Sequence, residues 1–122
     1  MFNDGTTWSE RGVVFRAVKA EHSDDYAIGV IISAEGKNYY HTGDTLYNES
    51  VFASLPPLNI DILFLPVNGV GNNMNIEDAK AFSRRVNAKI TVPMHCGMFD
   101  EKIIPKFMDN VVLPSIYKRL DY

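Results

Sequence analysis

Three side chains suited to metal or acid–base chemistry fall at the ends of apolar runs: His22, Asp44 and His95. Imidazole nitrogen and carboxylate oxygen are the usual donors to zinc and manganese, and a catalytic metal site keeps one position open for water. The spacing contains no compact His-x-x-x-His or Cys-x-x-Cys cluster, so any shared centre must be assembled by the fold. Each residue also has a plainer reading. A lone histidine at a strand end is more often a hydrogen-bonding or surface group than a ligand. Asp44, within Gly43-Asp44-Thr45, equally suits a turn in which the carboxylate accepts a bond from the backbone two residues on.

The elements that must position these residues alternate along the chain. Residues 13–20 are β-branched and aromatic and predict a strand, which the polar run Glu21-His22-Ser23-Asp24-Asp25 ends. Residues 26–33 form a nearly continuous apolar run, expected to be a strand buried on both faces. Ala34-Glu35-Gly36-Lys37 returns it antiparallel into residues 38–41, and Asp44 follows at that strand's end. Asn48 is expected to cap a short helix carrying Val51, Phe52 and Leu55 on one face, stopped by Pro56-Pro57. Residues 60–67 give the strongest strand pattern, and a loop of two glycines and three asparagines, residues 68–74, follows. Asn75 caps a helix in which Ile76, Ala79, Phe82, Ser83 and Val86 share a face. Residues 89–93 predict a further strand, with His95 immediately beyond it. A helical turn is expected over residues 102–108, with Pro105 and Pro114 limiting any longer helix. Residues 1–12 are polar, show no periodicity, and are expected to lead loosely into the first strand. This order is that of a layered α/β fold with a mixed sheet, in which ligands bind beyond the strand ends.

The 122 residues suit a single domain, with 46% hydrophobic and 22% charged residues and a formal net charge of -3. That balance lacks the basic excess of a nucleic-acid binder. Cys96 is the sole cysteine, which precludes an internal disulfide and fits a reducing, cytoplasmic setting. No run approaches the roughly 20 apolar residues that span a bilayer, nor does the amino terminus resemble a secretory leader, so neither secretion nor membrane anchoring is expected.

Several segments together resemble the metallo-β-lactamase-fold hydrolases, and within them the branch similar to L-ascorbate-6-phosphate lactonase. They are Ala20-Glu21-His22-Ser23-Asp24, Tyr40-His41-Thr42-Gly43-Asp44-Thr45, Phe64-Leu65-Pro66-Val67-Asn68-Gly69, Asn72-Asn73-Met74 and Val92-Pro93-Met94-His95-Cys96-Gly97-Met98-Phe99. They occur in the family's order and place the resemblance over residues 13–99. It implies the second half of an αββα sandwich, a mixed β-sheet with helices on one face. It further implies that His22 is a terminal ligand of one metal, that Asp44 bridges two, and that His95 is a terminal ligand of the second. Two divalent ions, zinc or manganese, would then activate water against a lactone, ester or phosphoester. Asn68, Asn72 and Asn73 would line the rim as substrate contacts, although an asparagine-rich loop also serves simply as a turn. The pattern gives His41 no ligand role and leaves it a supporting histidine.

The family's His-x-His-x-Asp-His segment has no counterpart here, since no two of the 3 histidines stand two residues apart. One terminal histidine per metal plus a shared Asp44 falls short of three protein ligands, so the chain by itself is expected to bind metal weakly, if at all, and to show little or no activity. A missing half would leave an apolar sheet face bare. Self-association, or pairing with a complementary amino-terminal half, is the expected consequence. The competing reading is a non-catalytic α/β binding or interaction module in which these residues survive only as turns and caps.

Overall fold

Two tight turns shape the amino-terminal half. In the computed structural model, which describes residues 3–96, 110–113 and 119, strand β1 (Thr7–Glu10) turns through Arg11 and Gly12 into β2 (Val13–Lys19). Strand β3 (Ile28–Ala34) turns through Glu35 and Gly36 into β4 (Lys37–His41). Both turns place two successive residues at positive φ, 52° and 80° in the first and 51° and 77° in the second. That backbone twist matches the twist of antiparallel strands, and so each turn closes a hairpin. β2 pairs antiparallel with both β1 and β3, and β3 with β4.

After β4 the connections change character. Parallel strands need a crossover, and helices α1 (Glu49–Ala53) and α2 (Ile76–Val86) supply it between β4, β5 (Ile62–Pro66) and β6 (Ile90–Met94). Both helices start as the sequence predicts. The Asn48 side chain accepts from the Ser50 N–H and that of Asn75 from the Asp78 N–H, each satisfying a helix-end donor. Asn87 ends α2 in the left-handed conformation with φ 57°, and its N–H returns to the Ser83 carbonyl. The result is one six-stranded mixed sheet in the order β1-β2-β3-β4-β5-β6.

The two faces of the sheet differ. Arg16, Ile31, Tyr40, Leu63 and Thr91 stand opposite one another across β2 to β6 and so share a face. On that side Tyr40, Ile31, Leu63, Leu65 and Val18 pack with Val51 of α1 and Ala79 and Phe82 of α2 into the core. Both described helices therefore cover this face. On the other face a single row, Trp8, Phe15, Ile32, Tyr39, Ile62 and Ile90, crosses all six strands. Only Ile62 in that row is buried, and the Trp8 and Phe15 rings stack at 4.5 Å.

Two expectations are corrected. The amino-terminal segment, read as a polar lead-in without periodicity, carries β1, an exposed edge strand held by its pairing with β2. β3 is buried on one face only, because Gly29, which lies against the His41–Thr42 backbone, and Ile31, which packs in the core, are buried while Ile28, Val30 and Ile32 remain half-exposed. The helical turn expected over residues 102–108 lies outside the described residues. Among the described residues no helix is long and apolar enough to cross a membrane.

Candidate active site

Strand direction decides which loops meet. β3 opposes both β2 and β4, while β5 and β6 run parallel to β4. The carboxyl ends of β2, β4, β5 and β6 therefore lie along one edge. His22 follows β2, Asp44 follows β4, the asparagine-rich loop follows β5 and His95 follows β6, so the fold delivers all the sequence-predicted site residues to that edge. It is the edge at which layered α/β proteins bind ligands.

Asp44 is presented by a constrained turn. Thr42 N–H bonds the Phe64 carbonyl at 3.0 Å, carrying the parallel ladder one step past β4. Gly43 then adopts φ 67°, and a Cβ at that position would stand 2.8 Å from the Ile28 carbonyl oxygen. Only glycine meets both conditions without strain. His41 supports the same turn, since its Nδ1 accepts from the Gly43 N–H at 3.1 Å and its ring stacks on Phe64 at 6.0 Å. The sequence reading of His41 as a supporting residue describes this role.

β4 and β6 are separated by β5, a gap of about 10 Å at ordinary strand spacing. Asp44 and His95 close it over the end of β5, with His95 Nε2 at 3.0 Å from Asp44 Oδ1. His95 reaches across from a left-handed backbone, φ 58°, directly after β6. Left-handed backbone in a non-glycine residue costs energy and is concentrated at functional positions. Both side chains remain about half exposed, at 51% for Asp44 and 45% for His95, so the pair is open to a ligand.

His22 is not brought into this pair. Its Nδ1 accepts from the Asp24 N–H at 2.9 Å, closing a small local turn. It lines a separate open cleft of about 510 Å³ with Lys19, Glu21, Asp25 and Tyr26, and neither Asp44 nor His95 borders that cleft. The asparagines divide as well. Asn68 Oδ1 accepts from the Val70 N–H at 3.2 Å, a turn contact. Asn72 makes two bonds to Ser23, beside His22: Oδ1 accepts from the Ser23 N–H at 3.0 Å and Nδ2 donates to Ser23 Oγ at 3.1 Å. Asn73 Oδ1 is buried without a hydrogen-bond partner among the described residues.

The donor set can be tested against a metal centre. Among the described residues no group of three or more His, Cys, Asp or Glu side chains converges closely enough to hold an ion. Asp44 and His95 offer one carboxylate and one imidazole, two donors where catalytic zinc takes three from protein. The described residues therefore do not compose a metal centre unaided. Sequence reasoning missed Thr45 and Ser23, which link these loops. The signal was present in the hydroxyl residues beside Asp44 and His22.

Residues 5–95 match the model of the Beta-lactamase superfamily domain. A metal-dependent hydrolase of Staphylococcus epidermidis is 40% identical over 94 residues, covering 73% of this chain and 40% of that protein. A metal-dependent hydrolase of Enterococcus faecalis is 34% identical over 93 residues, covering 67% and 41%. The chain thus spans about two fifths of the length of these relatives. Among solved structures, a metallo hydrolase of the archaeon Ignicoccus hospitalis superposes with TM-score 0.74 at 26% identity, over 92% of this chain and 55% of that one. The crystal structure of a metal-dependent hydrolase from Parabacteroides distasonis gives 0.77 at 25% identity, over 92% and 56%. With its mixed sheet, its helices on one face and three quarters of its length within the family match, the chain belongs to the beta-lactamase superfamily and has the fold of part of a metallo-β-lactamase domain.

Proposed function

We propose that this chain contributes part of the active site of a metal-dependent hydrolase acting in the cytoplasm on a small lactone or phosphoester, and that alone it is inactive or weakly active. The observation that carries the reading is the Asp44–His95 contact at 3.0 Å, formed by residues 51 positions apart at the ligand-binding edge of the sheet. Asp44 and His95, with His22 on the neighbouring loop, are the ligand candidates for zinc or manganese. Asn68, Asn72 and Asn73, on the loop after β5, are the candidate polar contacts at the substrate rim. The relatives, named as metal-dependent hydrolases, support metal-dependent chemistry for the whole protein.

The remaining ligands come from a complementary amino-terminal half, or from a second copy of this chain, seated on the row from Trp8 to Ile90. Five of its six side chains are left half-buried or exposed, an extent of apolar surface that soluble monomers seldom present. Sedimentation of the chain checks this. A monodisperse monomer that binds no hydrophobic dye removes the partner from the proposal.

Titration with zinc and with manganese, alongside hydrolysis assays on lactones and phosphodiesters, tests the functional reading. Metal uptake is expected to be weak in the isolated chain and abolished by Asp44→Ala or His95→Ala. Robust metal-dependent hydrolysis by the 122-residue chain, lost in Asp44→Ala, would overturn the claim that it is incomplete. The absence of a three-donor group among the described residues favours one second reading, a non-catalytic module. That reading requires no metal uptake dependent on His22, Asp44 and His95, even after a complementary half is added.

A further inference from the structure

Thr45 is completely buried, and its polar atoms face two other loops. Its Oγ1 accepts from the Glu21 N–H at 2.9 Å and donates to the Leu46 carbonyl at 3.0 Å. Its own carbonyl accepts from the Met74 N–H at 3.0 Å, and the Leu46 N–H returns to the Glu21 carbonyl at 2.9 Å. The segment after β4 is thereby bonded to the loop that carries His22 and to the end of the asparagine-rich loop. Farther out, the Ser23–Asn72 clasp joins those two loops directly.

We propose that Thr45 is the positioning residue of this edge: its buried hydroxyl holds the His22 loop, and its backbone carbonyl the end of the Asn72-Asn73 loop, in register with Asp44. The inference rests on Asp44 as the functional carboxylate. A hydroxyl suits the position because it accepts and donates at once. A valine of the same shape would leave the part-buried Glu21 N–H without this partner. Serine keeps the hydroxyl and gives up only a methyl group. The Ser23–Asn72 clasp, being exposed, follows the register that Thr45 sets.

Amide hydrogen exchange and histidine ring spectra of the metal-free chain test this. In Thr45→Val, exchange at the Glu21 and Ser23 amides is expected to rise about tenfold or more, the equivalent of roughly 1.4 kcal/mol. His22 ring resonances should shift, and those of His41 should stay. Thr45→Ser should restore both readouts. Equal acceleration at every amide of β3 and β5, without rescue by serine, would show a merely structural role and overturn the proposal. Should Thr45→Val fail to fold, Asn72→Ala decides: release of Ser23 with Glu21 still protected supports Thr45 as the hub, and release of both overturns it. A wild-type chain that takes up no metal even with its complementary half defeats the proposed function and leaves the exchange result intact.

Discussion

His95 Nε2 and Asp44 Oδ1 meet at 3.0 Å across the end of β5, the one strand that separates their own. Their half-exposed side chains lie where water screens the attraction, and an exposed pair of this kind contributes about 0–1 kcal/mol to stability. His95→Ala is therefore expected to shift the urea midpoint little, despite interrupting the contact. A loss above about 2 kcal/mol would mark the pair as a structural brace and remove it from the candidate site.

Gly43→Ala should be far more costly than its surroundings suggest. The left-handed backbone disfavours any Cβ, and the added atom would press on the Ile28 carbonyl at 2.8 Å. A loss of about 1–3 kcal/mol is expected from backbone strain, with the contact adding to it. Gly36→Ala provides the control, since its φ is 77° but no atom lies within 4 Å of the added Cβ. Equal midpoints for the two variants would show that the close approach to Ile28 does not constrain the turn.

The helices, the central strands and the hairpin were legible because apolar spacing and asparagine caps act locally. β1 was not, since Thr7-Trp8-Ser9-Glu10 has one large apolar residue and is held as a strand by contacts with β2, its antiparallel pairing and the stacking of Trp8 on Phe15. β3 misled for the opposite reason. Its apolar run suggested two covered faces, but the number of layers is a property of the whole assembly. At the site, strand ends correctly located His22, Asp44 and His95 on one edge. Which of them touch was hidden, because the Asp24 N–H holds His22 in its own turn while His95 needs a left-handed backbone to reach Asp44.

Tyr40→Phe is expected to be neutral or stabilising by up to about 1 kcal/mol. The ring is fully buried beside Phe82, and its hydroxyl has no hydrogen-bond partner among the described residues. Removing a buried, unpaired polar group relieves a desolvation cost without opening a cavity. Burial also holds the phenol above its ordinary range. As pH rises past that ordinary range, the unfolded chain releases this proton first and the folded state loses stability. Phenylalanine removes that contribution. A clear loss of stability in Tyr40→Phe, read by thermal unfolding at neutral pH, would mean that the hydroxyl is bonded after all.

Asp61 sets an acid limit on the junction ahead of β5. Its Oδ2 accepts from the Asn38 N–H at 2.8 Å and its Oδ1 pairs with Lys89 at 3.0 Å, tying the start of β5 to the β4 edge and to the residue before β6. The backbone bond from Asn38, followed by the Lys89 contact, holds its carboxyl below the ordinary value. A depressed carboxylate favours the folded state above the unfolded chain's pKa, and that contribution fades as pH falls through the lower folded value. Unfolding followed from neutral pH down through the carboxylate range should therefore show a steeper loss for wild type than for Asp61→Asn. Asparagine has no charge to lose but can still accept from the Asn38 N–H, so the variant should start less stable and approach wild type in acid. Parallel curves would place the acid sensitivity of the fold in other carboxylates.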